Sequence, residues 1–293
     1  MSGRLRIVLF SHSADGFAIA QSACEAAGHE PIAYVYARAS RPGRGSGPGA
    51  PTAAAGIVES LPAGVDLLLP RSAASLARAL PGYRPDLLLC NGFPWQIPRR
   101  VLDAARLGGI NVHPSLLPRH RGPIPIHWAI RAGDRETGVT VHWMDEEFDT
   151  GRVIVQRGGV PLEDEVVPDE LLARMDALTS ELIPLALRRI DAGGSADASD
   201  VGEPQDEAKA TYAGWMGEDF RRVDRTRTAR EIHNQVRASR FGVYDPPGPV
   251  VEVNGRWVSV LRTRTDPGEG GVRIDCADGP LWIVESQSVE RPE

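Results

Sequence analysis

Short apolar runs alternate with mixed stretches through the first half of the chain. Leu5–Phe10, Pro31–Tyr36, Val65–Leu69, Asp86–Cys90 and Gly109–Val112 read as brief strands. Runs that are apolar nearly throughout, rather than at every second position, suit strands covered on both faces. Between them, Ala18–Ala27 is rich in small residues and stops at Gly28, as a helix closed by a glycine does. Ala73–Leu80 reads as a further helix. Strand and helix in alternation predict βαβ units, hence an α/β fold on a doubly wound, mostly parallel sheet. Ligands of such sheets sit beyond the carboxyl ends of the strands.

The second half changes character. Val139–Trp143 is β-patterned. Pro168 suits the first turn of a helix, where its missing N–H costs nothing, and the helix is expected over Asp169–Ala192. Leu171, Leu172, Met175, Leu178, Leu182, Leu185 and Leu187 supply its apolar face, and Pro184 is expected to kink or interrupt it. Gly193–Lys209, rich in Gly, Ser, Ala, Asp and Glu, reads as a linker. Beyond it, a helix at Thr228–Ala238 precedes four β-patterned runs, Val250–Val253, Trp257–Arg262, Val272–Cys276 and Pro280–Ser286. Asn254-Gly255 between the first two is a hairpin turn signal. The chain thus reads as a Rossmann-like domain (residues 1–192), a linker (193–209) and a small β-rich, OB-like domain (210–293).

Composition narrows the function classes. At 42% hydrophobic and 25% charged residues the chain is ordinary globular material. A net charge of −6 argues against a protein that simply coats nucleic acid. Cys24, Cys90 and Cys276 are odd in number and far apart, which disfavours a disulfide framework or a CxxC metal site and fits a reducing compartment. No apolar run approaches the roughly 18 residues of a membrane span, and the run Ile7–Phe10 is too short for a signal peptide core. A cytoplasmic location is the expectation. The turn after the first strand, Ser11-His-Ser-Ala-Asp-Gly-Phe17, lacks G-x-G-x-x-G, so a dinucleotide site is not supported. Arg38–Gly49 is a Gly/Pro-rich loop with Arg38, Arg41 and Arg44 and no acid. It reads either as plain surface or as a contact for an anionic acceptor.

The chemistry concentrates in Gly109-Ile-Asn-Val-His-Pro-Ser-Leu-Leu-Pro-Arg-His-Arg-Gly122. Asn111 and His113, two apart on one strand, point to the same face. Pro114 cannot donate to a ladder, so the strand should end there. Asp149 falls in a turn closed by Gly151, able to bring a carboxylate to the imidazole. Amide, imidazole and carboxylate together suit attack of a neutral amine on a carbonyl-level carbon. Asn111 would donate to the developing oxyanion, His113 would donate or move protons, and Asp149 would orient the ring or take the amine proton. Each residue alone also fits a structural role. His120, His127 and His142 lack metal-ligand spacing. His127 and Trp128 read as packed helix residues, and His142, between Val141 and Trp143, as facing outward.

The run Asn111-Val-His113-Pro-Ser115-Leu-Leu-Pro118 with Arg121-Gly122, together with Glu136-Thr-Gly138-Val-Thr140 and Asp149-Thr-Gly151, resembles the signature of folate-dependent formyltransferases. The resemblance implies 10-formyltetrahydrofolate as co-substrate, no metal, and Asn111, His113 and Asp149 as the catalytic trio. It implies a folate wall at Ser115, Leu116, Leu117 and Pro118. A pterin loop at Cys90–Pro98 would contain Asn91, Gly92 and Phe93, with Asp145 and Phe148 beside the pocket. His12, Arg44, Arg121 and Trp128 are the residues assigned to the acceptor. The β-rich tail disfavours glycinamide ribonucleotide transformylases, which resemble the first domain only, and the early strand at Leu5 disfavours a hydrolase with a preceding regulatory domain. The tRNA-directed branch expects lysines where Ser46-Gly-Pro-Gly49 stands, and Phe93-Pro-Trp95 departs from its pterin loop. On that ground the expected acceptor is a small-molecule amine or hydroxylamine, an amino sugar nucleotide or an ornithine-type side chain. The alternatives are initiator methionyl-tRNA and a relative that binds folate without catalysis.

Overall fold

The computed structural model describes residues 3–37, 50–193, 200–242, 245–268 and 270–291. The arginine loop with Arg44, and residues 194–199 of the expected linker, lie outside the described residues.

The apolar runs form strands where expected. β1 (Arg6–Ser11), β2 (Glu30–Tyr36), β3 (Asp66–Leu68), β4 (Leu87–Asn91) and β5 (Gly109–His113) are joined by helices α1 (Ala14–Ala26), α2 (Ala50–Glu59), α3 (Ala73–Ala79) and α4 (Arg99–Leu102). With β6 (Glu136–Trp143) and β7 (Val153–Pro161) they make a seven-stranded sheet in the order β3-β2-β1-β4-β5-β6-β7. β1 through β5 are parallel, and β6 turns antiparallel to β5. The sheet is doubly wound and mostly parallel, and the strand order reverses between β1 and β4, where such folds open a ligand crevice. Val8, Phe10, Leu88 and Cys90 fill the core on one face. β7 carries no sequence signal because Gln156-Arg-Gly-Gly breaks its apolar pattern.

Helix α6 spans Pro168–Ala192 without interruption at Pro184. Leu182, Ile183, Ala186 and Leu187 around that proline are fully buried, and their packing outweighs one lost backbone hydrogen bond.

The chain divides into two compact units. One comprises Met1–Arg121, Gly138–Gly158 and Ala173–Thr211; the other comprises Gly122–Thr137, Gly159–Leu172 and Tyr212–Glu293. The second unit contains α5 (Pro125–Ala132), α7 (Glu218–Arg221), α8 (Ala229–Ser239) and the strands β8 (Val250–Val253), β9 (Arg256–Arg264), β10 (Val272–Cys276) and β11 (Gly279–Ser288). The strands form an antiparallel sheet in the order β10-β11-β9-β8. Asn254 and Gly255 take positive φ of 52° and 76°, the geometry a two-residue hairpin demands. α8 starts at a capping box between Thr228 and Glu231. Its Ile232 and Val236 pack on Val251, Val260, Ile274, Leu281 and Ile283.

Candidate active site

The register of β5 against β6 sets the site. Asn111 pairs with His142 and His113 with Thr140. Directly opposed residues of an antiparallel pair share a face, so two imidazoles, an amide and a hydroxyl stand together at the carboxyl end of β5. His142 is therefore not outward-facing as its alternation with Val141 and Trp143 predicts. The sheet is covered on both faces here, and His142 is 1% exposed.

Asp149 reaches this cluster from the turn between β6 and β7. Its Oδ1 lies 3.5 Å from Nδ1 of His113, 3.4 Å from Nε2 of His142 and 3.3 Å from Nδ2 of Asn111. Asp149 itself has φ of 59°, a left-handed conformation that aspartate tolerates better than most residues. Gly151 makes the turn possible: a Cβ there would stand 1.9 Å from the carbonyl oxygen of Trp143.

Two backbone carbonyls fix the tautomers. A carbonyl only accepts, so the 2.8 Å contact from Nε2 of His113 to the oxygen of His120 places a hydrogen on Nε2. The remaining nitrogen, Nδ1, faces Asp149. In His142 the order is reversed: Nδ1 donates to the oxygen of Trp143 at 2.8 Å, and Nε2 turns inward. Asn111 Nδ2 donates to that Nε2 at 3.2 Å and to Asp149 at 3.3 Å. Burial pushes His113 below the ordinary histidine range, with the Asp149 carboxylate and the His120 carbonyl acting in the opposite direction. His113 is thus neutral near pH 7, with one lone pair beside a carboxylate.

The Ser115–Pro118 turn is held by side chains that sequence reasoning missed. Thr140 Oγ1 donates to the oxygen of Ser115 at 2.7 Å. Gln156 Nε2 donates to the oxygen of Leu117 at 2.9 Å and to Thr140 Oγ1 at 2.7 Å. Ser115 turns its own hydroxyl onto the oxygen of Arg119. Leu117 is buried, while Leu116 and Pro118 stay partly open.

The loop after β4 and the Asp149 turn adjoin: Gln96 Nε2 donates to the oxygen of Glu146 at 2.9 Å. Asn91 donates from its side-chain amide to the oxygen of Gly16 at 3.1 Å. Phe93 lies edge-on to Phe10 and Trp95. Asp145 accepts from Thr150 and from the Glu147 backbone, which makes it a turn former. Phe148 is 47% exposed.

Of the residues assigned to the acceptor, Arg44 lies outside the described residues and the other three are each engaged within their own unit. His12 packs its ring and backbone N–H on the oxygen of Gly92. Arg121 is buried and bound to Gln205 and Glu207, not open to a ligand, because segment 203–211 of its own unit covers it. Trp128 belongs to the second unit's packing, with Nε1 on the oxygen of Gly214 and its ring edge-on to Phe220. Among the described residues no group of histidine, cysteine, aspartate and glutamate could hold a metal ion. No helix among them is long and apolar enough to cross a membrane.

An amide, two imidazoles and a carboxylate thus stand together at one strand end of a Rossmann-like sheet. Residues 6–187 match the family model described as formyl transferase. Methionyl-tRNA formyltransferase of Anaeromyxobacter dehalogenans (strain 2CP-1) is 34% identical over 293 residues, covering 94% of this chain and 89% of its own. HypX from Aquifex aeolicus in complex with tetrahydrofolic acid superposes with a TM-score of 0.61 at 22% identity, over 98% of this chain. The chain spans only 44% of that HypX structure's length. A sugar N-formyltransferase from Shewanella sp. FDAARGOS_354 gives 0.62 at 17% identity, over 87% of this chain and 96% of that one. The chain belongs to the formyl transferase family and is a one-carbon transferase.

Proposed function

We propose that the protein moves the formyl group of 10-formyltetrahydrofolate onto the amine of methionyl-tRNA, with Asn111, His113 and Asp149 as the catalytic trio. The observation that carries the chemical part is the convergence of His113 Nδ1, Asn111 Nδ2 and Asp149 Oδ1 within 3.5 Å, with the proton on His113 committed to Nε2. Partly open Phe93 and Trp95, with Leu116 and exposed Phe148, fit an extended aromatic donor such as a folate. When bound, the donor supplies a formyl carbon on nitrogen. His113 and Asp149 then take the proton that the attacking amine sheds as its bond to that carbon forms. His113, charged, donates from Nδ1 toward the formyl oxygen and returns the proton to the departing folate nitrogen as the old bond breaks. Both contacts of Asn111 Nδ2 are long, 3.2 and 3.3 Å, so either hydrogen can be shared with the oxyanion.

Identity of 34% to a methionyl-tRNA formyltransferase over 94% of the chain supports the tRNA acceptor. One observation favours the small-molecule amine instead: Ser46-Gly-Pro-Gly49 stands where a tRNA-contacting loop would carry lysines. The two readings separate in a competition at physiological salt. Charged initiator tRNA should be formylated efficiently from 10-formyltetrahydrofolate, with a rate that falls steeply as salt rises. Turnover of an amino sugar nucleotide or ornithine-type amine, with no formylation of the tRNA, would overturn the tRNA reading and leave the formyl chemistry standing.

A further inference from the structure

The segment predicted as a linker does a different job where it is described. Gln205 Nε2 donates both hydrogens to the Asp149 turn, one to the oxygen of Asp149 at 2.8 Å and one to that of Gly151 at 2.7 Å. Its Oε1 accepts from Nε and Nη2 of Arg121 at 3.0 and 2.9 Å. The amide has one permissible orientation: the carbonyls require its NH₂ end and the guanidinium requires its oxygen end. Arg121 is fixed in turn by Glu207 through Nη1 at 2.9 Å and Nη2 at 2.6 Å. Further along, Thr211 Oγ1 accepts from the N–H of His120 at 2.8 Å, and the Thr211 carbonyl accepts from the N–H of Arg121 at 2.9 Å. His120 is the residue whose carbonyl holds Nε2 of His113. One short stretch of chain therefore ties down the turn carrying Asp149 and the turn orienting His113.

We propose that Gln205 is a positioning residue for catalysis, setting the Asp149 carboxylate against His113 through the backbone of the 149–151 turn. The inference rests on the reading of Asp149 given above. Asp149 sits in a left-handed conformation, so its side-chain direction follows the turn backbone, and the carbonyls at 149 and 151 are where that backbone is gripped. Asp149, His142 and His120 are the titratable groups that face His113. Arg121 feels Asp149 as well and stays cationic.

The test uses the full chain with Gln205→Glu and Gln205→Leu, and Asp149→Asn as reference. Gln205→Glu keeps an acceptor for Arg121 but offers no hydrogen to the turn. The readout that needs no acceptor is the titration of the His113 imidazole, followed by NMR of histidine-labelled protein and assigned with His113→Gln. Asp149→Asn should move it downward, and both Gln205 variants should move it the same way. In the formylation assay the Gln205 variants should lose about 10- to 100-fold in kcat, the effect of a displacement near 1 Å, with KM for 10-formyltetrahydrofolate within about threefold. If either variant unfolds, Arg121→Lys releases the amide orientation without touching the turn and should shift the titration likewise. A downward shift in Asp149→Asn with none in the Gln205 variants overturns this inference alone. No shift in Asp149→Asn overturns the pairing of His113 with Asp149, and this inference with it.

Discussion

Replacing Asp149 with asparagine removes a charge and almost nothing else, and the geometry sets the size of the effect. His113 Nδ1 and Asp149 Oδ1 are 3.5 Å apart, with side chains 5% and 9% exposed. Unit charges at that separation attract by about 5 kcal/mol at an effective dielectric near 20. The attraction exists only once His113 carries a proton, so it acts as the reaction proceeds and not at rest. An amide in that place still accepts a hydrogen bond from Nδ1–H and recovers about 1 kcal/mol. The remaining loss of about 4 kcal/mol corresponds to roughly three orders of magnitude in kcat. KM for the folate donor should hold within about threefold, because Asp149 makes no claim on the pterin wall. The sign of the pH effect also follows. Burial holds His113 below its ordinary range and Asp149 opposes that shift, so without the carboxylate the acid limb of kcat/KM moves to lower pH. Stopped or quenched formylation assays of Asp149→Asn, His113→Gln and the double variant would measure this. Groups acting on one proton are non-additive, so the double variant should be no more than about tenfold below the worse single one. A variant D149N that keeps a tenth of wild-type kcat, or losses that multiply in full, would refute the reasoning.

Other expectations concern fold and turn. In Gly151→Ala the new methyl meets the Trp143 carbonyl at 1.9 Å; the backbone must yield by about 1 Å, with kcat falling about 100-fold while the melting temperature moves by a few degrees only. Full activity in that variant would show that the Asp149 turn need not be where it stands. His233 is 4% exposed, and burial pushes its pKa from 6.5 to about 4. The unfolded chain binds that proton from about pH 6.5 downward and the folded chain only near 4, so stability is whole above the window and lost as pH falls through it, by about 3 kcal/mol. Urea unfolding at successive pH values would show the slope, and His233→Gln should flatten it; an equal slope in both proteins would disprove the assignment.

How far the sequence reaches depends on whether a feature is local. β1 through β5 are nearly continuous apolar runs, and such runs declare themselves because both faces are covered. Asn111 and His113 were legible because a period of two puts them on one face. Asn254-Gly255 announced its hairpin because only a few residues accept two positive φ values in succession. What could not be read was cross-chain. His142 alternates with apolar neighbours and looks outward until β6 is laid antiparallel on β5, a register that nothing within β6 specifies. Gln205 lies in a polar, small-residue stretch that composition labels a linker, and its four hydrogen bonds go to partners more than 50 residues away. The partners of Arg121, Gln205 and Glu207, were out of reach for the same reason, standing 84 and 86 residues away along the chain.

The two histidines give the site its character through the direction of their hydrogen bonds. Each ring surrenders one hydrogen to a carbonyl, His113 to that of His120 and His142 to that of Trp143. The choice of nitrogen is opposite in the two rings, so both basic nitrogens turn toward one carboxylate oxygen, at 3.5 and 3.4 Å. The Nδ1 lone pair of His113 and the Asp149 carboxylate converge there, and Asn111 Nδ2 donates to Asp149 and to His142. Such a centre offers acceptors to a nitrogen that carries one proton too many. Attack by an amine produces that nitrogen at the moment its bond to carbon forms. A charged resting imidazolium would stabilise the oxyanion sooner but would leave the shed proton without a nearby base. On the proposed mechanism, burial of His113 keeps the ring neutral until the amine delivers, and the carboxylate favours acceptance when it does. Desolvation, which prevails in the resting enzyme, and Coulomb attraction act in sequence along the proposed reaction, and their opposition at Nδ1 suits the ring to carry one proton from the incoming nitrogen to the outgoing one.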